Sequence, residues 1–312
     1  MLKSINNNAF LVSIIVITHN RYNSLKETVN AVLNQSFSEF ELIILDDASE
    51  DNTKNIIEDF RDKRIRYLRN VQNLGIARTR NMGINIAGGR YIFFTDDDCS
   101  PYRNWLEEGL KILQSENEAL AIQGFVVTEK FDKSRVFRRV RSVSWTKTLG
   151  NFMCANMAFP KEALKKLGGF DLRFNQAYED VDMGLRARKM GKVIFSRQMV
   201  VNHRRLSYTQ KEIIAEAKRA QEQVRIIKYH PDDFDYHRRY SSVLKLGPLK
   251  VMHPQQLLYC LVFPVYVIAK FIWGGYYRSK NSRKLFPLLC LYILIQRFFV
   301  WKTGFKERIL VI

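Results

Sequence analysis

The run Tyr91-Ile92-Phe93-Phe94-Thr95-Asp96-Asp97-Asp98 sets three carboxylates directly after an apolar stretch that reads as a buried strand. Like charges packed this closely repel, and the arrangement is costly unless a cation offsets them. Carboxylate, water and phosphate oxygens together suit Mg2+ or Mn2+, which bind through one or two carboxylates plus a substrate's phosphates. A divalent metal and a phosphate ester are therefore expected together; a solvated acidic turn, or an N-cap for the next helix, is the plainer alternative. A second acidic pair, Asp46-Asp47, closes the apolar run Phe40 to Leu45. No Ser-His-Asp or Cys-His constellation is visible, and no G-x-G-x-x-G follows a strand, which disfavours a dinucleotide-dependent dehydrogenase. The four cysteines, Cys99, Cys154, Cys260 and Cys290, have neither C-x-x-C spacing nor a paired framework, as expected of free thiols in a reducing compartment.

These carboxylates need a scaffold, and the hydrophobic pattern supplies one. Val12 to Thr18 is β-branched and apolar, as for a strand covered on both faces, and Ser24 to Asn34 has helical spacing with Ser24 and Glu27 as a capping box. Strands follow at Phe40 to Leu45, Ile65 to Leu68 and Tyr91 to Phe94, with helices at Asn52 to Phe60 and Leu74 to Ala87 between them. Alternation of this kind implies βαβ units and a parallel sheet. In such sheets ligands sit outside the carboxyl ends of the strands, so Asp46-Asp47 and Asp96-Asp97-Asp98 should share one crevice. Beyond Pro101 the pattern predicts helices at Trp105 to Leu113, Lys161 to Leu167 and Glu179 to Met190, and strands at Ala121 to Val127, Cys154 to Phe159, Val193 to Phe195 and Met199 to Val201. Lys133 to Lys147 is basic and aromatic without a period, and no internal repeat is present.

In order and spacing, Val12 to Arg21, Leu42 to Ser49, Asn73-Leu74-Gly75 with Ala77 and Arg80-Asn81, and Asp96-Asp97-Asp98 resemble the nucleotide-sugar half of family 2 glycosyltransferases of the GT-A fold. Asn156 to Phe159, Gly168-Gly169-Phe170-Asp171 and Tyr178-Glu179-Asp180-Val181-Asp182 resemble that family's acceptor half, so the likeness covers about residues 10 to 205. It implies a mixed α/β, GT-A-like (Rossmann-like) and mainly parallel sheet flanked by helices. It also implies roles. Thr18, Asn20, Asp47, Arg78, Arg80, Asp96 and Asp97 would bind the donor nucleotide, with Asp47 on the uracil ring and Asp96 on the ribose. Asp98, with Asp96 and His203, would hold the metal. Asp180 would be the base that takes the proton from the acceptor hydroxyl, with Glu179 beside it as an acceptor ligand. Each has a plainer alternative: Asp47 as the cap of the helix near Asn52, Arg78 and Arg80 as solvated helix cations, Glu179 and Asp182 as helix-start acids, His203 as a merely hydrogen-bonded imidazole. The reaction implied is a single displacement that inverts the anomeric centre. Processive synthases of the family carry Gln-x-x-Arg-Trp, and Gln296-Arg297-Phe298 lacks that spacing, so transfer of one sugar is expected. Thr95 stands where the family often has Leu.

Length and charge frame the rest. The 312 residues are ordinary globular material, 46% hydrophobic and 26% charged, with 50 basic and 31 acidic side chains for a net +19. From His203 onward the chain holds 20 Lys/Arg against 7 Asp/Glu. A polyanion is expected near that third. Because it also holds the apolar runs Leu257 to Ala269 and Leu285 to Ile295, an anionic membrane surface is favoured over nucleic acid. Each run is shorter than the roughly 20 residues of a spanning helix, and a basic loop lies between them. A re-entrant or interfacial helical pair is the reading, with Trp273, Tyr276, Tyr277 and Trp301 at headgroup level; a buried helical hairpin is the alternative. The expected organisation is a catalytic domain over 1–205 (donor half about 10–100, acceptor half 101–205) and a helical, membrane-associating extension over 206–312. The expectation is a glycosyltransferase at the cytoplasmic face of the membrane, joining a nucleotide-sugar donor to a glycan or lipid-linked acceptor in envelope polysaccharide assembly. A nucleotidyltransferase of related fold and a noncatalytic membrane-surface binding protein are the competing readings. The first would carry a Gly-rich basic loop after its first strand, where this chain has His19-Asn20-Arg21-Tyr22.

Overall fold

The computed structural model describes residues 10–116, 118–128, 152–174 and 177–204, and beyond them 219, 221–233, 243–246, 249–252, 295, 298–299, 302–303 and 306. The chain divides into two compact units, residues 1–129 with 143–206, and residues 130–142 with 207–312.

The first unit opens with β1 (Val12–Thr18), α1 (Tyr22–Leu33), β2 (Phe40–Asp46), a 3-10 turn (Asn52–Asn55) running into α2 (Ile56–Phe60), β3 (Ile65–Arg69), α3 (Ile76–Ile86) and β4 (Tyr91–Phe94). It continues with β5 (Cys99–Pro101), α4 (Trp105–Ser115), β6 (Ala119–Thr128), β7 (Met157–Pro160), α5 (Lys161–Lys166), α6 (Glu179–Met190) and β8 (Lys192–His203). The eight strands form one sheet in the order β3-β2-β1-β4-β7-β6-β8-β5. β1 pairs in parallel with β2 and β4, β2 with β3, and β6 with β8, while β7 runs antiparallel to both β4 and β6. This is the mixed, mainly parallel sheet that the alternation of elements predicts.

Both faces are covered, which is why apolar residues dominate β1, β2 and β4. Val12, Ile14, Val16, Phe40, Leu42, Ile44 and Phe93 point to one face and pack with Leu25, Val29 and Val32 of α1 and Trp105, Leu106 and Leu110 of α4. Burial of each such side chain contributes on the order of 1.5–3 kcal/mol. On the other face α3 comes so close that a Cβ on Gly83 would lie 2.8 Å from Leu45 and 2.9 Å from Ile15. A side chain there would force Leu45 and Ile15 to shift, so glycine lets that helix seat closely on the sheet.

Several local expectations are corrected. Ser24 and Glu27 do not form a capping box: Ser24 lies inside α1 and donates to the Asp97 carbonyl at 2.6 Å, while Glu27 pairs with Arg204. The Tyr22 amide at the start of α1 is instead taken by the Asp51 carboxylate at 3.0 Å. Residues Cys154–Asn156 form a 3-10 turn before β7 rather than its first half. The two short strands expected at 193–195 and 199–201 are one continuous β8, irregular where the Ser196 hydroxyl accepts from the Gln198 and Met199 amides. A three-residue β5 was not foreseen; it pairs antiparallel with the end of β8 and sets Cys99 opposite His203.

Within the second unit the described residues form α7 (Glu222–Tyr229) and an antiparallel hairpin of β9 (Val243–Leu246) and β10 (Leu249–Met252). The buried Glu222 pairs with Arg225 one turn on. Among the described residues no helix is long and apolar enough to cross a membrane. The apolar runs at 257–269 and 285–295, their flanking aromatics and the basic stretch 133–147 lie outside the described residues, apart from Ile295 itself.

Candidate functional site

The carboxyl ends of β1, β2, β3 and β4 lie side by side, because the order β3-β2-β1-β4 is wholly parallel. That edge gathers Thr18 to Arg21, Asp46 to Ser49, Asn70 and Thr95 to Asp98.

Asp47 is buried, and its carboxylate clasps the following loop. Oδ1 accepts from Asn70 Nδ2 and the Leu74 amide, both at 2.8 Å, and Oδ2 from the Gly75 amide at 2.9 Å. Gly75 can present its amide there because its φ is +85°. A carboxylate offers about four lone-pair positions, so three are spent on the protein and one is left for a ligand. The helix near Asn52 is capped by Asp51, not Asp47. Asn20, in the left-handed region at φ 55°, takes the Glu50 amide on its Oδ1 at 2.7 Å and gives its own amide to the Ser49 hydroxyl, tying the end of β1 to that of β2.

The acidic run divides its labour. Thr18, itself buried, donates its hydroxyl to Asp97 Oδ2 at 2.8 Å, and Arg21 stands 3.5 Å from Asp97 Oδ1. Burial pushes the Asp97 carboxyl up to about 7 despite that guanidinium. Asp97 thus holds the loop together rather than facing the crevice. Asp98 meets Arg21 Nη1 at 2.9 Å through Oδ2 and His203 Nε2 at 3.5 Å through Oδ1. Asp96 is the most exposed of the three and pairs with Arg80 at 3.1 Å.

One ligand atom each from Asp96, Asp98, Cys99 and His203 lies within 4.8 Å of all the others. Two carboxylates and an imidazole suit a divalent ion, while the Cys99 thiol, pushed well up by burial, lines the group. The His203 Nδ1 lies 3.0 Å from the Arg204 carbonyl, which can only accept, so Nδ1 donates there and Nε2 is the ring atom turned towards Asp98. Cys99 is a member that sequence reasoning missed. Its position directly after Asp98 was the only signal, because its neighbour His203 is brought beside it by the β5–β8 pairing.

Arg80 carries the site from one half of the unit to the other. Its guanidinium is buried, bonded through Nη1 to Glu179 and through Nη2 to Asp96, and its Cζ lies 5.4 Å from the centre of the Phe170 ring. Both hands of the fork are taken, so Arg80 positions carboxylates, whereas Arg78 two residues earlier is exposed. Asn81 is likewise engaged, holding the Phe170 backbone through both its amide atoms at 2.8 and 2.7 Å.

Tyr178 enters α6 in the left-handed region, φ 69°, a costly conformation for an aromatic residue, and it turns the chain so that Glu179 and Asp180 start the helix. Asp180 is partly buried; Oδ2 accepts from the Cys154 amide at 3.3 Å and Oδ1 from the Val181 amide at 2.8 Å. Glu179 is 3% exposed, and its Oε2 has no hydrogen-bond partner among the described residues. Burial, and then the charge of Asp180, push the Glu179 carboxyl up to about 7 against the pull of Arg80. Asp182 is spent on Arg186, whose other nitrogens hold the Leu167 and Gly169 carbonyls.

The Glu179 shift has a measurable sign. An unfolded glutamate releases its proton near pH ~4.3, whereas native Glu179 keeps it to about 7. Between those values the native state binds more protons, so stability should fall as pH rises across that window. Denaturation midpoints between pH 5 and 7.5 check this: Glu179→Gln should flatten the fall, with the share from Asp97, shifted the same way, remaining.

A metal-compatible cluster at the carboxyl edge of a mixed, mainly parallel sheet, joined by a buried arginine to acids from the far half of the chain, is the arrangement of a GT-A-type fold. The Glycosyl transferase family 2 profile matches residues 13–168, and the chain belongs to that family. Over 159 residues it is 28% identical to UDP-Glc:alpha-D-GlcNAc-diphosphoundecaprenol beta-1,3-glucosyltransferase WfaP of Escherichia coli, covering 50% of this chain and 63% of that protein. Over 142 residues it is 30% identical to the WfgD enzyme of the same description and organism, covering 46% and 56%. The match therefore spans less than two thirds of either relative. In fold the chain is similar to the mannosyltransferase PcManGT of Pyrobaculum calidifontis, solved with GDP-Man and Mn2+, at a TM-score of 0.62 and 18% identity over 95% of this chain and 86% of that one.

Proposed function

We propose that the protein transfers a single sugar, with inversion, from a UDP-linked donor to a glycan or lipid-linked acceptor in cell-envelope polysaccharide assembly. The observation that carries this reading is the convergence of Asp96, Asp98, Cys99 and His203 within 4.8 Å, with Arg80 linking Asp96 to the Glu179-Asp180 pair. The two Escherichia coli relatives, by their descriptions, use UDP-Glc and a diphosphoundecaprenol-linked acceptor, which supports the donor and the acceptor class.

Asp98 and His203 would hold Mn2+ or Mg2+, with Asp96 turned to metal or ribose. A bound divalent ion supplies neutralisation of the charge that builds on a departing nucleoside diphosphate. The remaining work belongs to the chain. The open lone pair of Asp47 accepts from the base, while its other three bonds keep the 70–75 loop in place to cover it. Arg78, exposed at the start of α3, is a cation available to the nucleotide. Asp180 takes the proton from the attacking acceptor hydroxyl, a task within reach of a carboxylate because that proton is largely lost in the transition state. A displacement of this type needs no enzymic nucleophile, consistent with two cysteines whose thiols burial pushes well up. The basic residues from His203 onward suit an anionic membrane surface, which would bring a lipid-linked acceptor to the crevice at the cytoplasmic face.

The test is a panel of UDP- and GDP-sugars scored for nucleoside diphosphate release by the full chain. Release should require Mn2+ or Mg2+, fall to background on chelation with EDTA, and be restored by adding the metal back. Undiminished turnover in EDTA, or no release from any donor, would sink the proposal.

A further inference from the structure

We propose that Arg21 is the resident counter-cation of the acidic crevice, displaced from Asp98 when a divalent ion binds and then transferred to the donor's diphosphate. This rests on the metal-dependent reading above and adds a coupling between metal and nucleotide that the reading does not require.

The geometry is that of a cation standing in for another. Arg21 Nη1 lies 2.9 Å from Asp98 Oδ2 and 3.5 Å from Asp97 Oδ1, so one guanidinium is shared by two carboxylates. Those carboxylates are 7% and 9% exposed, whereas the Arg21 side chain is 34% exposed. The arginine is thus the solvent-facing end of the pair. Its backbone stays fixed, because the Arg21 carbonyl takes the Leu25 amide at 2.9 Å as the first bond of α1. Asp98 is double-sided: Oδ2 faces Arg21, while Oδ1 faces His203 Nε2 at 3.5 Å and Cys99 Sγ at 3.7 Å.

A divalent ion on Asp98 reverses the local balance. Two cations then compete for one buried carboxylate, and the repulsion between them at a few ångströms is strong wherever water is partly excluded. A diphosphate bound to the same ion places anionic oxygens within reach of a guanidinium whose planar fork fits them in pairs. Arg21 therefore opposes metal binding alone and favours diphosphate binding once the metal is present. A plain structural salt bridge predicts the opposite first sign, since removing it would loosen Asp98 and weaken the metal.

The experiment is titration of the full chain with Mn2+, read from the signal of free Mn2+ by electron paramagnetic resonance, without nucleotide. It is followed by titration of UDP at saturating Mn2+. Arg21→Met should bind Mn2+ about tenfold tighter than the unsubstituted protein in the first titration and UDP about tenfold more weakly in the second. Arg21→Lys, which keeps the charge, should bind Mn2+ like the unsubstituted protein. Mn2+ binding by Arg21→Met that is unchanged or weaker overturns the inference and leaves the metal site standing. If the unsubstituted protein binds no Mn2+ even with UDP, or if Asp98→Asn binds it equally well, the metal reading falls and this inference with it.

Discussion

Asp180→Asn should lower kcat by about 10²- to 10⁴-fold while leaving Mn2+ and UDP binding close to those of the unsubstituted protein. The substitution keeps the volume of the side chain and removes its capacity to take a proton. With the Asn oxygen on the Val181 amide, the amide nitrogen meets the Cys154 N–H where a carboxylate oxygen stood at 3.3 Å. Losing that bond to a charged oxygen costs about 1.5–3 kcal/mol of stability, which leaves the proton-transfer effect to be read from kcat. Single-turnover sugar transfer, with ligand binding measured on the same preparation, separates the chemical step from occupancy. The companion variant is Glu179→Gln. Glu179 is bonded to Arg80 and buried, so its loss should act through the geometry of the network and cost less turnover. A reversal, with Glu179→Gln inactive and Asp180→Asn active, would move the base to Glu179. Both variants remaining active would remove a carboxylate base from the mechanism.

How far the sequence foretold this site depends on the range of the forces involved. The strands β1, β2 and β4 were legible because burial on both faces leaves short runs of Val, Ile, Leu and Phe, each closed by polar residues. The acidic ends of β2 and β4 follow from those strands, and the parallel order places them together. What escaped were contacts made across long separations. Arg80 bonds a residue 99 positions away, and Cys99 lies opposite His203 only because a three-residue strand pairs with the end of β8. No local pattern announces either. Ser24 shows the opposite failure: with Glu27 three residues on it has the spacing of a capping box, but the Asp97 carbonyl claims its hydroxyl and Asp51 takes the Tyr22 amide. Tertiary partners overrode a correct local rule.

Arg78 and Arg80 looked interchangeable in the sequence, and their substitutions should behave in opposite ways. Arg80→Met is expected to destabilise the fold by about 3–5 kcal/mol, the usual result of stripping one partner from a buried ion pair. The methionine fills most of the space but leaves Glu179, 3% exposed, without its Arg80 partner, and releases Asp96 from its 3.1 Å bond. Glu179 can escape the penalty only by taking up a proton, so the loss should be smaller at pH 5 than at pH 8. Adding Glu179→Gln to Arg80→Met removes the stranded charge and should recover about 1–2 kcal/mol, because a neutral amide costs less to bury than an ion. Arg78→Met, on an exposed position, should change stability by no more than about 0.5 kcal/mol and show itself instead as weaker UDP binding. Guanidinium denaturation of the four proteins at both pH values decides the matter. If Arg80→Met were as stable as Arg78→Met, the arginine would not be what joins the donor carboxylates to the Glu179-Asp180 pair.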